Sequence, residues 1–149
     1  MADLQTASGA KLYVSAAAPT THDATGFAAL TFTKVAKVSD LGTIGEEYNE
    51  VTFNPLDERE TERLAGSYTS GQIPTVYGYD KDDAGQGILE TNSGNNTRLS
   101  FKIELPSGEL HYFRGRVMGN ILNIGTIDNV LTKQATINVQ NGGLGFVVV

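Results

Sequence analysis

Apolar residues recur at every second position over much of this chain, and that period belongs to half-buried strands. The first such run is Lys11 to Ser15, closed by turn-forming residues from Ala18 to Asp23. From Ala29 onward, Leu30, Phe32, Ala36 and Val38 fall on one face, with Thr31, Thr33, Lys37 and Ser39 on the other. The spacing predicts one continuous strand there. Leu41 to Glu47 holds two glycines and no period, which predicts a loop. Glu50 to Tyr79 reads as a long pair of strands around a charged middle. Pro55 has no amide proton for a ladder and marks a strand end or edge, and Ser67 to Gly71 is a turn cluster.

Further along, Leu99, Phe101, Ile103 and Leu105 alternate with Arg98, Ser100, Lys102 and Glu104, and Pro106-Ser107-Gly108 turns the chain into a return strand from Glu109. On that strand Tyr112, Arg114 and Arg116 share one face and Phe113 and Val117 the other, so it carries large side chains on both sides. Strands follow near Gly119 to Ile127 and over Lys133 to Gln140, the latter with Ala135, Ile137 and Val139 inward. Asn141-Gly142-Gly143 is a turn signal, and Phe146 to Val149 is an apolar end that must be paired. One helix is predicted from Asp82 to Thr91, capped by the aspartates at 80, 82 and 83, docked by Ile88 and Leu89, and stopped by Asn92-Ser93-Gly94. Its Gly85 and Gly87 each weaken it by about 1 kcal/mol against alanine, so packing must hold it. About eight to ten short strands with one flanking helix make a mainly β chain, an antiparallel sandwich or barrel.

Composition narrows the class. At 149 residues and 15.9 kDa the chain fits one domain, 1–149. It has no cysteine, which removes disulfide frameworks, thiolate metal sites and cysteine nucleophiles. A net charge of −6 argues against holding nucleic-acid backbone. No stretch is long and apolar enough to span a bilayer, and the first residues lack a signal-like apolar core.

No catalytic set assembles from the residues. His22 falls in a turn and His111 in a strand, and no serine sits in a nucleophile elbow. The run Asp80 to Gly85 begins like a calcium loop, but Ala84 and Thr91 stand where oxygen ligands belong, and helix capping accounts for the aspartates. The glycine pairs at 85 and 87 and at 142 and 143 do not complete a phosphate cradle. No enzyme activity, metal or cofactor is expected.

One charged segment stands out: Asp57, Glu58, Arg59, Glu60, Thr61, Glu62 and Arg63. As a strand it would set Glu58, Glu60 and Glu62 on one face, a repulsion tolerable only in water or opposite positive charge. It reads either as a solvated loop, or as an acidic stripe on a water-filled space or an arm that docks on another subunit.

The order of motifs resembles the tail tube (major tail) proteins of long-tailed bacteriophages. The residues that carry the resemblance are KLYVS with AAAP near the start, Gly26-Phe27 with Leu30-Thr31-Phe32, Val35 and Val38, then Leu41-Gly42 and Glu47-Tyr48-Asn49 leading into Val51-Thr52-Phe53-Asn54-Pro55-Leu56. Glu60 to Arg63 before Gly66-Ser67-Tyr68, Asp83 to Gln86 with Leu89, the Phe101 to Phe113 hairpin and Ala135-Thr136-Ile137 complete it. The resemblance implies a β-sandwich with one flanking helix that assembles into stacked hexameric rings around a hollow lumen. It implies self-contacts through a charged arm at about 50–66 that includes Asp57, Glu58, Arg59, Glu60, Glu62 and Arg63, with Glu58, Glu60 and Glu62 as lumen-facing candidates. It also implies partnership with a tape measure protein and tail terminator and initiator proteins. DNA would pass through without specific binding or any membrane contact, repelled by about −36 from six copies. Such a protein belongs to the virion, and to host cytoplasm during assembly. A C-terminal strand over 144–149 would pair within the domain or with a neighbour. A phage head decoration or head–tail joining protein, and a ligand-binding β-sandwich, are the alternatives.

Overall fold

The computed structural model describes residue 4 and residues 6–45, 47–69, 71–139 and 147–148, and within these the chain forms ten strands and two helices. Strand β1 (Lys11–Ser15) pairs antiparallel with β2 (Thr33–Val35) on one side and β7 (Arg98–Glu104) on the other. From β7 the sheet continues through β8 (Leu110–Asn123), β9 (Thr132–Val139) and β6 (Gln72–Gly78) to β3 (Val38–Asp40), every contact antiparallel. The path thus begins at β2 and ends at β3. These two strands are joined by Ala36 and Lys37 alone, so the ends of the sheet must lie together. The sheet curls back on itself and encloses its core. The sandwich-or-barrel reading of the pattern holds.

The continuous strand predicted from Ala29 is corrected. Its residues divide at a turn where Lys37 adopts a φ of 60° and its carbonyl accepts the Gly78 amide at 2.8 Å. Pairing of β2 with β1 and of β3 with β6 sets that turn, and a residue alternation has no means of registering it. A second helix, α1 (Ala24–Ala28), also precedes it, directly after the turn expected from Ala18 to Asp23 and over residues to which the pattern assigned no element. Asp23 caps it by accepting from the Gly26 amide at 2.7 Å, and Phe27 beneath it is fully buried. The described residues therefore carry two helices rather than one.

The predicted helix is α2 (Ala84–Thr91), capped by Asp83, with Leu89 fully buried. Its glycine content has a packing reason: a Cβ on Gly85 would stand 2.4 Å from the Lys34 carbonyl oxygen of β2. Buried Gln86 ties the helix to the sheet ends. Its amide nitrogen donates to the carbonyls of Ala36 and Gly78, both at 2.9 Å, and its side-chain oxygen accepts the Asp80 amide.

The hairpin expected around Pro106 to Gly108 is β7–β8, with Phe101 opposite Phe113 and their rings 5.1 Å apart. The separate strand expected at Gly119 to Ile127 is instead the second half of β8, continued past a bulge between Val117 and Gly119. A bulge keeps the ladder while advancing one strand by a residue, so the alternation breaks without the strand ending. On β9, Ala135, Ile137 and Val139 point inward as predicted. They meet Leu12, Val14, Ile73, Tyr77, Leu99 and Val117 in one buried cluster. At the chain end, β10 (Val147–Val148) pairs with Tyr112 and His111 of the same chain. The turn at 141–143 and residues 144–146 and 149 of the expected C-terminal strand lie outside the described residues.

Candidate interaction surface

Strands β4 (Glu47–Phe53) and β5 (Glu62–Thr69) make a two-stranded ribbon that pairs with neither end of the main sheet. Its strands are held to each other by register pairs from Glu47 with Thr69 to Phe53 with Glu62, and by Tyr48 and Tyr68, whose rings lie 5.1 Å apart. Every residue of β4 is exposed. Val51 faces Leu64 across the ribbon with Phe53 two residues along, and Phe53 keeps 60% of its surface in water. Leu56, at the loop that joins the strands, is fully exposed. A lone two-stranded hairpin is marginal in water, and this one leaves an apolar face open.

The sequence-derived charged residues all lie on this ribbon. Asp57, Glu58, Arg59 and Glu60 sit in the connecting loop, while Glu62 and Arg63 open β5. Glu58, Glu60 and Glu62 therefore do not share one strand face, because the backbone turns at Leu56 and Asp57 and becomes extended only from Glu62. Arg63 is spent within the ribbon on Glu50, at 3.2 Å. Pro55 follows the end of β4, as its missing amide proton requires. The turn expected from Ser67 falls later, since β5 runs to Thr69.

A second exposed apolar region lies at the far end of β8 and the loop after it, where Ile121, Ile124, Ile127 and Val130 stand open. Past Arg116, β8 has lost β7 as a neighbour and keeps only β9, so one edge of Met118 to Asn123 is unpaired among the described strands. Alternation marks Gly119 to Asn123 as strand residues, but it says nothing about whether a neighbouring strand is present.

The remaining candidate chemistry resolves into structure. Asp83 accepts from the amides of Gln86 at 3.0 Å and Ala36 at 3.2 Å. His22 packs edge-on against Phe27, and His111 lies 3.0 Å from Glu109. Tyr112 is covered by Phe27, stacked at 5.2 Å, so the two-sided burial expected for the return strand holds there. Arg114 and Arg116, on the same face, are only half covered.

No family model and no curated protein matches the sequence. Solved structures do. A chain of the anti-feeding prophage (AFP) baseplate, determined by cryo-electron microscopy with six-fold symmetrisation, superposes with a TM-score of 0.74 at 7% identity, covering 100% of this chain and 97% of that one. The fold is that of phage tail components. A subunit of the SPP1 tail tube, solved by solid-state NMR and cryo-electron microscopy, superposes at 0.66 with 12% identity over 93% of this chain and 75% of that one. The likeness inferred from motif order and the tail-tube-like fold class both hold, apart from the helix count.

Proposed function

We propose that this chain is a structural subunit of a bacteriophage tail, polymerising into stacked hexameric rings that form a hollow conduit for DNA. The observation that carries the reading is the β4–β5 ribbon, an apolar and acidic arm on a body of tail-tube-like fold. The fold shared with a tail tube subunit and with a baseplate chain supports it. The arm, including Asp57, Glu58, Arg59, Glu60, Glu62 and Arg63, makes contacts between copies, and the open edge of β8 offers a second surface for them. Glu58, Glu60 and Glu62 are also the residues this reading puts forward to face the lumen. The net charge of −6 per copy keeps the assembled wall from holding DNA phosphates. The role needs no cofactor. Tape measure, terminator and initiator proteins are the further partners this reading supplies, in the virion and, before it, in the host cytoplasm.

A second reading is a ring that joins or ends a tube without stacking, which the TM-score of 0.74 to the baseplate chain favours. Negative-stain electron microscopy of the purified protein over a concentration series separates the two. Hollow tubes of constant diameter are expected. Single rings that never stack would favour the joining role, and a dispersed monomer at every concentration would overturn both.

A further inference from the structure

The outer face of β7 and β8 gathers positive charge that no carboxylate among the described residues neutralises. Arg98 stands directly opposite Arg116, and Arg114 lies two residues along on the same face. Cross-strand partners hold their Cβ atoms about 5 Å apart, and like charges placed that way oppose the pairing. Three of the chain's five arginines are collected here, in a protein of net charge −6. The ion pairs found elsewhere, such as Arg63 with Glu50 and Lys133 with Glu90, include none of the three.

Backbone carbonyls aim two of these side chains. Arg114 Nη2 donates to the Arg98 carbonyl at 3.3 Å, and Arg116 Nε donates to the Asn96 carbonyl at 3.2 Å. Arg114 Nε is buried and meets no acceptor. On β9, opposite Arg116, the Oδ1 of Asn138 is buried and meets no donor. Burial first, and Arg98 second, pull the Arg114 guanidinium below its ordinary value, so its charge is held at a cost. The face therefore holds like charges close together with no carboxylate to offset them, a condition that incoming carboxylates would relieve.

The opposite charge is concentrated on the ribbon. From Glu47 to Thr69 there are six carboxylates against two arginines, a net of −4 out of the chain's −6. With Arg63 on Glu50, the loop carries Asp57, Glu58 and Glu60 into solvent together with exposed Leu56. We propose that Arg98, Arg114 and Arg116 form a socket that receives the loop carboxylates Asp57, Glu58 and Glu60 of a second copy of this chain. The inference rests on the arm-mediated assembly proposed above and names the surface that the arm meets. Guanidinium groups take carboxylates through paired, planar hydrogen bonds, which fix orientation as well as attraction. Met118, half exposed just past Arg116, gives Leu56 an apolar neighbour at the rim.

Charge exchange tests the pairing. One variant carries Arg98→Glu and Arg116→Glu, the other Glu58→Arg and Glu60→Arg. Sedimentation velocity reads association and circular dichroism reads the fold. The substituted loop residues are exposed, so the arm variant keeps the fold whatever the socket variant does, and if the latter does not fold an Arg98→Gln, Arg116→Gln variant replaces it in the self-association measurement, where weaker association is still expected. Each charge-reversed protein alone should self-associate at least about tenfold more weakly than the natural chain, because like charges then meet. Mixing the two should restore association to within a few-fold, since each arm now meets a socket of opposite sign. Unchanged self-association of either variant, or a mixture no better than its parts, overturns the socket. So does loss of duplex-DNA binding by the arginine variant with assembly intact, which would mark a phosphate surface instead. Restored association without tubes would uphold the socket while the tube reading fails, and tubes from the arginine variant would do the reverse.

Discussion

Tyr77 shows how one side chain ties an enclosed sheet together. It is fully buried, and its hydroxyl accepts from Asn120 Nδ2 at 3.1 Å across β9. Burial raises its pKa above the ordinary 10.0 against the lowering effect of that hydrogen bond. The folded state thus favours the neutral phenol. Its contribution is fully present below the unfolded value and is lost as pH rises through the raised folded one. Replacing Tyr77 by Phe leaves the Asn120 amide unpaired and should lower stability by about 1–3 kcal/mol near neutral pH. Because Tyr13 and Tyr112 are also raised, mainly by burial, the alkaline loss of stability should shrink without vanishing. Urea titrations at neutral and alkaline pH check both. At this scale much was legible. Ala135, Ile137 and Val139 announced themselves by alternation, as did Phe101 and Phe113. Lys37 did not, because a lysine at positive φ is fixed by strands that meet from distant parts of the chain.

Among elements, α2 carries the clearest opposition between local and tertiary effects. By helix propensity, alanine at either Gly85 or Gly87 gains up to about 1 kcal/mol. A Cβ at Gly87 meets nothing within 4 Å, so Gly87→Ala should stabilise by that order. At Gly85 it would press on the backbone of Lys34, and such overpacking costs about 1–3 kcal/mol, which outweighs the gain. Thermal melts of the two variants should therefore shift in opposite directions. The helix, its cap at Asp83 and its stop at Asn92 could be read from the sequence, since each rests on neighbours within a few residues. Its placement against β2 could not. Likewise the bulge in β8 concealed one long strand as two, and the helix after Asp23 went unmarked because five residues offer too few positions to show a period.

For the whole molecule, the ribbon departs between β3 and β6, two strands that pair with each other. Its removal leaves the main sheet's ladder intact. Replacing residues 47–69 by a short glycine–serine linker should give a folded protein whose melting temperature stays close to that of the natural monomer but which no longer assembles, as read by calorimetry and sedimentation. A large fall in melting temperature would mean that the ribbon supports the body rather than a neighbour. The sequence marked this segment by its charge and could not reveal its isolation, since an uncovered strand and a covered one alternate alike.

The closure of the sheet has a dynamic consequence. Strands β2 and β3, at the two ends of the path, span three residues each, and a two-residue turn connects them. Few ladder bonds hold this seam, while β7, β8 and β9 are knit along seven residues or more. Local opening follows the weakest ladder. The body therefore breathes at the seam, with Gln86 and Asp83 as its latch, and amide protons between 33 and 40 exchange with solvent well before those of β7 and β8.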